Sequence, residues 1–419
     1  MRPARLRPDG TERARARSQP RAKAKERSRQ SGASADARGA ASNQDRTPSL
    51  LARKLLEWFC SHARPLPWRR TRDPYAIWIS EVMLQQTHVK TVIPYWTRWM
   101  KELPTVQALA AAAPEKVLKL WEGLGYYSRA RNLQRAAHAV MTRHAGRFPE
   151  SFADVLALPG IGRYTAGAIC SIAFGQSVAA VDGNIMRVLC RLFGLPGDPR
   201  SGPTHERLWQ LAAALVTAAA AVVPPLRQPV PPSSLLNQSL MELGATVCTP
   251  CQPSCPACPM HLHCVALRDA SVHRFPERAP RVASIHRHRL AFVVQRQGRY
   301  LVCQRPEQGI NAHLWEFPSV ELATPRRATS RSAETSARQL RASARRLLGF
   351  MPASLQPLVQ FRHSITRYRI RLESFLLDDY QGECTFRGGR WLTLAEMHPL
   401  PFSSAHARIL VSLTASGHG

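Results

Sequence analysis

The chain has 419 residues, 44% of them hydrophobic, with 58 Lys and Arg against 28 Asp and Glu and a formal net charge of +30. That length can fill two or three cores, and no apolar run is long enough to cross a bilayer as a helix. A charge excess of this size points to a polyanionic partner, and the lack of an apolar span argues against a membrane protein.

Residues 1–48 are rich in Arg, Ala and Ser and poor in large apolar side chains, which predicts a disordered basic tail. The tail is not the only source of charge. Residues 1–47 hold 13 basic and five acidic side chains, a net of +8, which leaves +22 on the rest. Five scattered acids and no apolar face weigh against a transit peptide, and there is no secretory hydrophobic segment. A DNA-tethering arm and a mis-assigned start both stay open.

From residue 49 to about 193 apolar residues recur at helical spacing, broken by short Pro- or Gly-bearing loops. In the segment Ile77 to Thr87, Glu81 shares one helix side with Ile77, Trp78 and Leu84. Burial there raises a carboxyl pKa and produces a general acid at neutral pH; pairing with a nearby Arg is the alternative. Residues 158–167, Leu-Pro-Gly-Ile-Gly-Arg-Tyr-Thr-Ala-Gly, open a helix of small residues after a short amphipathic helix at 152–156. Gly160 and Gly162 allow a tight turn whose N–H groups can approach a phosphate, although a purely structural turn has the same pattern. The spacing is that of a helix-hairpin-helix. In Val181-Asp182-Gly183-Asn184, Asp182 reads both as the N-cap of the next helix and as a fixed carboxylate.

Residues 204–223 predict an Ala-rich helix, 224–232 a Pro-rich loop and 235–243 another helix. Five of the ten cysteines follow between Cys248 and Cys264, a clustering that speaks for metal binding in a reducing compartment and not for disulfides. Thiolates at Cys248, Cys255, Cys258 and Cys264, gathered in one compact loop, suit iron–sulfur ligation. Cys248-x2-Cys251 beside Cys255-x2-Cys258 gives a zinc alternative, with only three residues between the pairs. Residues 270–288 read as a linker. Beyond it, 290–294, 300–303 and 368–372 predict strands, and 337–348 a helix. We therefore expect an all-α body over 49–269, with a four-cysteine loop at 248–264, and an α+β domain over 289–415.

Leu66-Pro67-Trp68-Arg69, the segment Ser80 to Thr87, the run Gly123 to Leu133, the hairpin and Val181 to Asn184 together resemble the MutY family of adenine DNA glycosylases, from about residue 50 to 267. The resemblance implies a base-flipping enzyme that removes adenine mispaired with 8-oxoguanine or guanine in double-stranded DNA. It gives Glu81 the role of protonating adenine at N7 and Asp182 that of stabilising the sugar cation. Tyr164 and Asn184 would position these groups, and Trp68, Arg69 and Gln238 would line the adenine pocket. Leu84, Gln86, Thr87, Tyr126, Gly160 and Gly162 would contact DNA, with Gln86 and Tyr126 wedged into the stack. Related glycosylase/lyases carry a Lys where Tyr164 stands, so a monofunctional glycosylase is implied. The four cysteines would hold a [4Fe–4S] cluster, with Cys251 spare.

Residues 298–307 and 313–318 resemble the Nudix-like domain that ends MutY proteins. Arg345 and Arg346 stand where a Nudix hydrolase needs acids for Mg²⁺, which weighs against hydrolysis and leaves phosphate contact or a solvated face open. The family's Phe-Ser-His turn, which probes 8-oxoguanine, has its nearest match at Ile365-Thr366-Arg367: Thr366 keeps the hydroxyl, and the aromatic and His are replaced. The family also implies a monomer, located with the bacterial nucleoid in the cytoplasm, or in the nucleus or mitochondrion of a eukaryote. The rival readings are an endonuclease III-type glycosylase/lyase acting on pyrimidines, a non-catalytic DNA-binding protein and a nucleotide hydrolase. Tyr164, the paired carboxylates and the missing acidic helix respectively oppose them.

Overall fold

The computed structural model describes residues 47–222, 230–277, 283–322 and 336–415. The basic tail and most of the Pro-rich loop lie outside them. Eleven helices build the body: α1 (Pro48–His62), α2 (Pro74–Leu84), α3 (Val89–Glu102), α4 (Val106–Ala111), α5 (Pro114–Leu120), α6 (Ser128–Arg143), α7 (Phe152–Leu156), α8 (Arg163–Ile172), α9 (Gly183–Phe193), α10 (Gly202–Ala219) and α11 (Pro232–Thr246). The one-turn α12 (Val265–Arg268) closes the cysteine loop.

Their apolar stripes fill two separate cores. One, around Trp78, Trp99 and Trp121, is formed mainly by α2 to α8. The other joins α1, α9, α10 and α11 through Leu51, Leu55, Leu189, Trp209 and Leu236. Helix α8, packed on α2 in the first core, meets α11, packed on α9 in the second, along a seam. Helix starts follow their capping chemistry: Asp73 accepts from Tyr75 N and Ala76 N at the head of α2, and Pro232 stands at the first position of α11, where a missing N–H costs nothing. That proline lies in the expected Pro-rich loop, so α11 starts three residues earlier than its apolar pattern predicts. Helix α10 ends at Ala219, short of 223.

The C-terminal domain is a mixed sheet of β1 (Ile285–Arg296), β2 (Arg299–Gln304), β3 (Trp315–Glu316), β4 (Ser319–Leu322), β5 (Gln356–Ile365), β6 (Tyr368–Leu377) and β7 (Gly389–Leu392), in the order β3-β2-β1-β6-β5. β1 and β6 run parallel, while β4 and β7 pair antiparallel with β1 and β2. Helix α13 (Ala337–Leu348) covers one face, and α15 (Ser404–Ala415) covers the other, after the short α14 (Leu394–Met397). Coverage on both sides explains the unbroken apolar run Leu290 to Val294.

Two expectations need correction. The stretch read as linker, 270–288, carries a 3-10 turn at Val272–Arg274, and β1 begins at Ile285 inside it. β5 was absent from the expected strands because it is an edge strand with a polar exposed face and a proline at its start. The domain docks on the body through Leu314, which joins the body's first core. Arg131 donates to Ala312 O at 3.0 Å, Lys119 to Leu400 O at 3.1 Å, and Phe402 N to Glu122 Oε1 at 2.9 Å.

Candidate active site

Glu81 lies on α2, whose residues from Tyr75 to Met83 are all buried, and is itself only 6% exposed. The Tyr164 hydroxyl, from α8, donates to its Oε2 at 2.5 Å, and that hydroxyl also lies 3.5 Å from Met241 Sδ across the seam. Burial pushes the Glu81 pKa up to about 7, and the nearby Asp182 charge adds to this. The Tyr164 hydrogen bond and the Arg69 charge pull the other way without winning.

The alternative of an arginine partner for Glu81 is answered by a residue that sequence reasoning missed. Arg69 donates instead to Glu242 Oε2 at 2.8 Å, and Arg64 grips the same carboxylate with Nε at 2.6 Å and Nη2 at 2.9 Å. Burial alone would raise the Glu242 pKa, but the two guanidinium groups overcome it and hold it at about 2. The arginine charge nearest the acid is thus largely spent on Glu242.

Asp182 is both a helix cap and a fixed carboxylate. It caps α9, accepting from Ile185 N at 2.7 Å, and its other oxygen accepts from Asn184 Nδ2 at 2.8 Å. Burial raises its pKa, opposed by these hydrogen bonds and by the Arg187 charge. Arg187, also unassigned by the sequence reading, donates to Asn184 Oδ1 at 2.9 Å, to Gly244 O at 2.8 Å and to Cys248 O at 2.8 Å. One turn on, Arg191 donates to Thr249 O at 2.7 Å and reaches Cys248 Sγ at 3.4 Å. The carboxylate of Asp182 is therefore tied by α9 to the cysteine loop.

Cys248, Cys255, Cys258 and Cys264 line one cavity together with Arg191 and His261; Cys251 is exposed and outside that lining. Among the described residues, no three His, Cys, Asp or Glu side chains close tightly enough to grip a single ion.

The hairpin separates its two glycines. Gly160 needs φ +78, and a Cβ there would lie 2.5 Å from Asn132. Gly162 caps α8 at φ −99, and a Cβ on it would meet nothing within 4 Å, so the tight turn rests on Gly160 alone. Gln86 and Tyr126 both adopt positive φ, 59° and 47°, which for non-glycine residues is strain stored at a site. Arg129 holds both: Nη1 donates to Val82 O, Met83 O and Gln85 O, Nη2 to Leu124 O and Gly125 O, and the guanidinium lies over the Trp121 and Tyr126 rings. Trp68 is buried with its ring edge-on to Trp96, Gln238 donates to Ser234, and Leu84 and Thr87 flank the end of α2.

Residues 79–214 match the family model described as HhH-GPD superfamily base excision DNA repair protein, and residues 290–412 the NUDIX domain model. Adenine DNA glycosylase of Mus musculus is 36% identical over 411 residues, covering 85% of this chain and 76% of that protein. That of Homo sapiens is also 36% identical, covering 85% of this chain and 72% of the other. The chain belongs to the adenine DNA glycosylase family. A solved thermostable thymine-DNA glycosylase is 29% identical, with a TM-score of 0.47, over 54% of this chain and all of that one.

In this adenine DNA glycosylase family member the Nudix-like domain presents arginines on α13. Helix α13 has no carboxylate, and Arg338, Arg341, Arg345 and Arg346 border an open hollow on its outer side. Thr366 stands at the exposed tip of the two-residue β5–β6 hairpin at φ 53, its hydroxyl bonded to Ile365 O at 2.7 Å.

Proposed function

We propose that this chain removes adenine, flipped out of duplex DNA opposite 8-oxoguanine or guanine, by hydrolysing its N-glycosidic bond. The observation that carries the reading is Glu81: a carboxyl group kept substantially protonated near neutrality, with a phenol as its hydrogen-bond partner and a fixed carboxylate, Asp182, close enough to raise its pKa.

Glu81 gives its proton to the adenine ring at N7 and turns the base into a good leaving group. Positive charge then grows on the sugar, and Asp182, oriented by Ile185 N and Asn184, stabilises it. Tyr164 holds the Glu81 carboxyl in place. A phenol in that position forms no Schiff base, so the enzyme leaves the DNA backbone intact. Arg69, Trp68 and Gln238 bound the adenine site. Gln86 and Tyr126, with Leu84 and Thr87, fill the stack beside the partner base, and Gly160 and Gly162 offer backbone N–H groups to phosphate. Thr366 contacts the opposite base. The active unit is a monomer, and it works wherever the genome lies, in the nucleoid, nucleus or mitochondrion. Residues 49–269 make up the glycosylase domain, and the Nudix-like domain follows.

Cys248, Cys255, Cys258 and Cys264 fit a [4Fe–4S] cluster. All four thiols line a common cavity, and the Arg191 guanidinium close to Cys248 Sγ suits an anionic sulfur group. Bound there, the cluster supplies structure, ordering the loop that receives Arg187 and Arg191.

The test is single-turnover cleavage of duplexes carrying adenine opposite 8-oxoguanine, guanine, thymine and cytosine. Excision opposite the first two, abolished in Glu81→Gln and Asp182→Asn, is expected. Removal of a damaged pyrimidine with strand nicking would transfer the reading to the endonuclease III type.

A further inference from the structure

On β6, Arg369, Arg371 and Glu373 alternate with Tyr368, Ile370 and Leu372 and so share one face of the sheet. Register adds to that face from both sides. β5 sets Arg362 directly opposite Arg371 and Ser364 opposite Arg369, and β1 sets His286 beside Arg369 and His288 beside Arg371. Three arginines and two histidines thus gather around one carboxylate. Glu373 is engaged by His288 at 2.9 Å and Arg371 at 2.6 Å, and Arg369 bonds Ser364. Arg362 is exposed, and its cross-strand neighbour is a second cation.

Like charges directly opposite each other weaken an antiparallel pair. Nothing in the sheet's own packing requires Arg362 at that position, since it points away from the α15 core. Further along the same face, α13 seals the sheet by packing Ala344 and Leu348 on Leu290, Phe292 and Phe375. Next to the hairpin Arg362 and Arg369 are exposed, and Arg371 lies half-buried behind them against Glu373. Arg369 and Arg371 are two residues apart on one strand, about 7 Å, a separation suited to neighbouring phosphates. The strip has no aromatic or aliphatic anchor such as a protein interface is built around, which favours a phosphodiester over an acidic protein.

We propose that Arg362, Arg369 and Arg371 form a backbone-phosphate site that grips one DNA strand beside the β5–β6 hairpin. Guanidinium groups match phosphate oxygens in geometry and charge, and an anion between Arg362 and Arg371 offsets their repulsion. The contact carries no sequence information. It rests on duplex DNA being the substrate and not on which base is excised.

The test uses the full chain with Arg362→Glu and Arg362→Glu/Arg369→Glu, titrated with a fully matched duplex and with an adenine-mispaired one over a range of salt. We expect affinity to fall about tenfold in the double variant, equally on both duplexes, and the slope of log K against log salt to shrink by about 0.9 per lost phosphate. The thermal midpoint of Arg362→Glu should be maintained or raised, because the substitution turns a like pair into an opposite pair with Arg371. Unchanged affinity and slope on both duplexes would overturn the proposal, as would a loss confined to the mispaired duplex. Lost binding of polyglutamate with duplex binding intact would overturn it in favour of an acidic protein.

Discussion

Arg69 gives its Nη2 to Glu242 at 2.8 Å and leaves Glu81 to a phenol. Glu242 thereby acts as a sink for positive charge beside the proposed acid. In Glu242→Gln the guanidinium groups of Arg64 and Arg69 lose their anion, and their field favours ionised Glu81, lowering its pKa. The high-pH limb of single-turnover excision should move to lower pH. The rate at pH 7 should fall severalfold and recover on mild acidification. A limb that stays put or moves upward would show that Glu242 does not set the acid's charge state. Removal of a buried ionic partner should also cost about 3 kcal/mol in stability.

Function and stability should part company at Glu81 itself. Its folded pKa of about 7 lies above the ordinary 4.5 of a glutamic acid, so the unfolded chain releases this proton first. Stability is intact below pH 4.5, declines as pH rises towards 7 and is flat beyond. Glu81→Gln removes that penalty. It should match the wild type at pH 4, exceed it by about 3 kcal/mol at pH 8, and excise nothing. Denaturant melts at the two pH values check this; equal gaps at both would mean that Glu81 is not held protonated by burial.

Arg129 has no carboxylate partner among the described residues, and burial lowers its pKa to about 10. Its worth lies in five carbonyl acceptors, three at the C-terminal end of α2 (Val82, Met83 and Gln85) and two in the loop before α6 (Leu124 and Gly125). Lysine keeps the charge but offers a single donor centre, so Arg129→Lys strands several buried carbonyls, a loss of about 3 kcal/mol. With Gln86 and Tyr126 released from positive φ, base extrusion should weaken more than duplex affinity. Fluorescence of 2-aminopurine in place of adenine reads the extrusion step. Normal extrusion in a destabilised variant would reduce Arg129 to a structural brace.

The parts of this fold that were legible in the sequence are those with local causes. Helix α13 begins and ends as expected because Ser336 and Gln339 form a capping box and Gly349 takes φ +87. Leu290 to Val294 announces β1 through burial on both faces, whereas the first half of that strand alternates His and Arg and reads as linker. Glu81 was conspicuous as a carboxylate in an apolar helix. Its relation to Tyr164, 83 residues away, and the diversion of Arg69 to Glu242, 173 residues away, depend on how the two cores meet. No local pattern encodes that.

Thr366 offers a test in which strain and chemistry oppose each other. A β-branched residue at φ 53 is strained, and its hydroxyl is bonded to the neighbouring Ile365 carbonyl at the exposed hairpin tip. Thr366→Gly should relieve the strain and stabilise the domain by about 1 kcal/mol, while Thr366→Ala keeps the strain. Both lose the hydroxyl, so both should lose preference for adenine opposite 8-oxoguanine over adenine opposite guanine. The ratio of single-turnover rates on the two duplexes measures this. If only one of the two variants loses the preference, hairpin geometry and not the hydroxyl governs discrimination; if both lose rate equally on the two duplexes, Thr366 does not read the lesion.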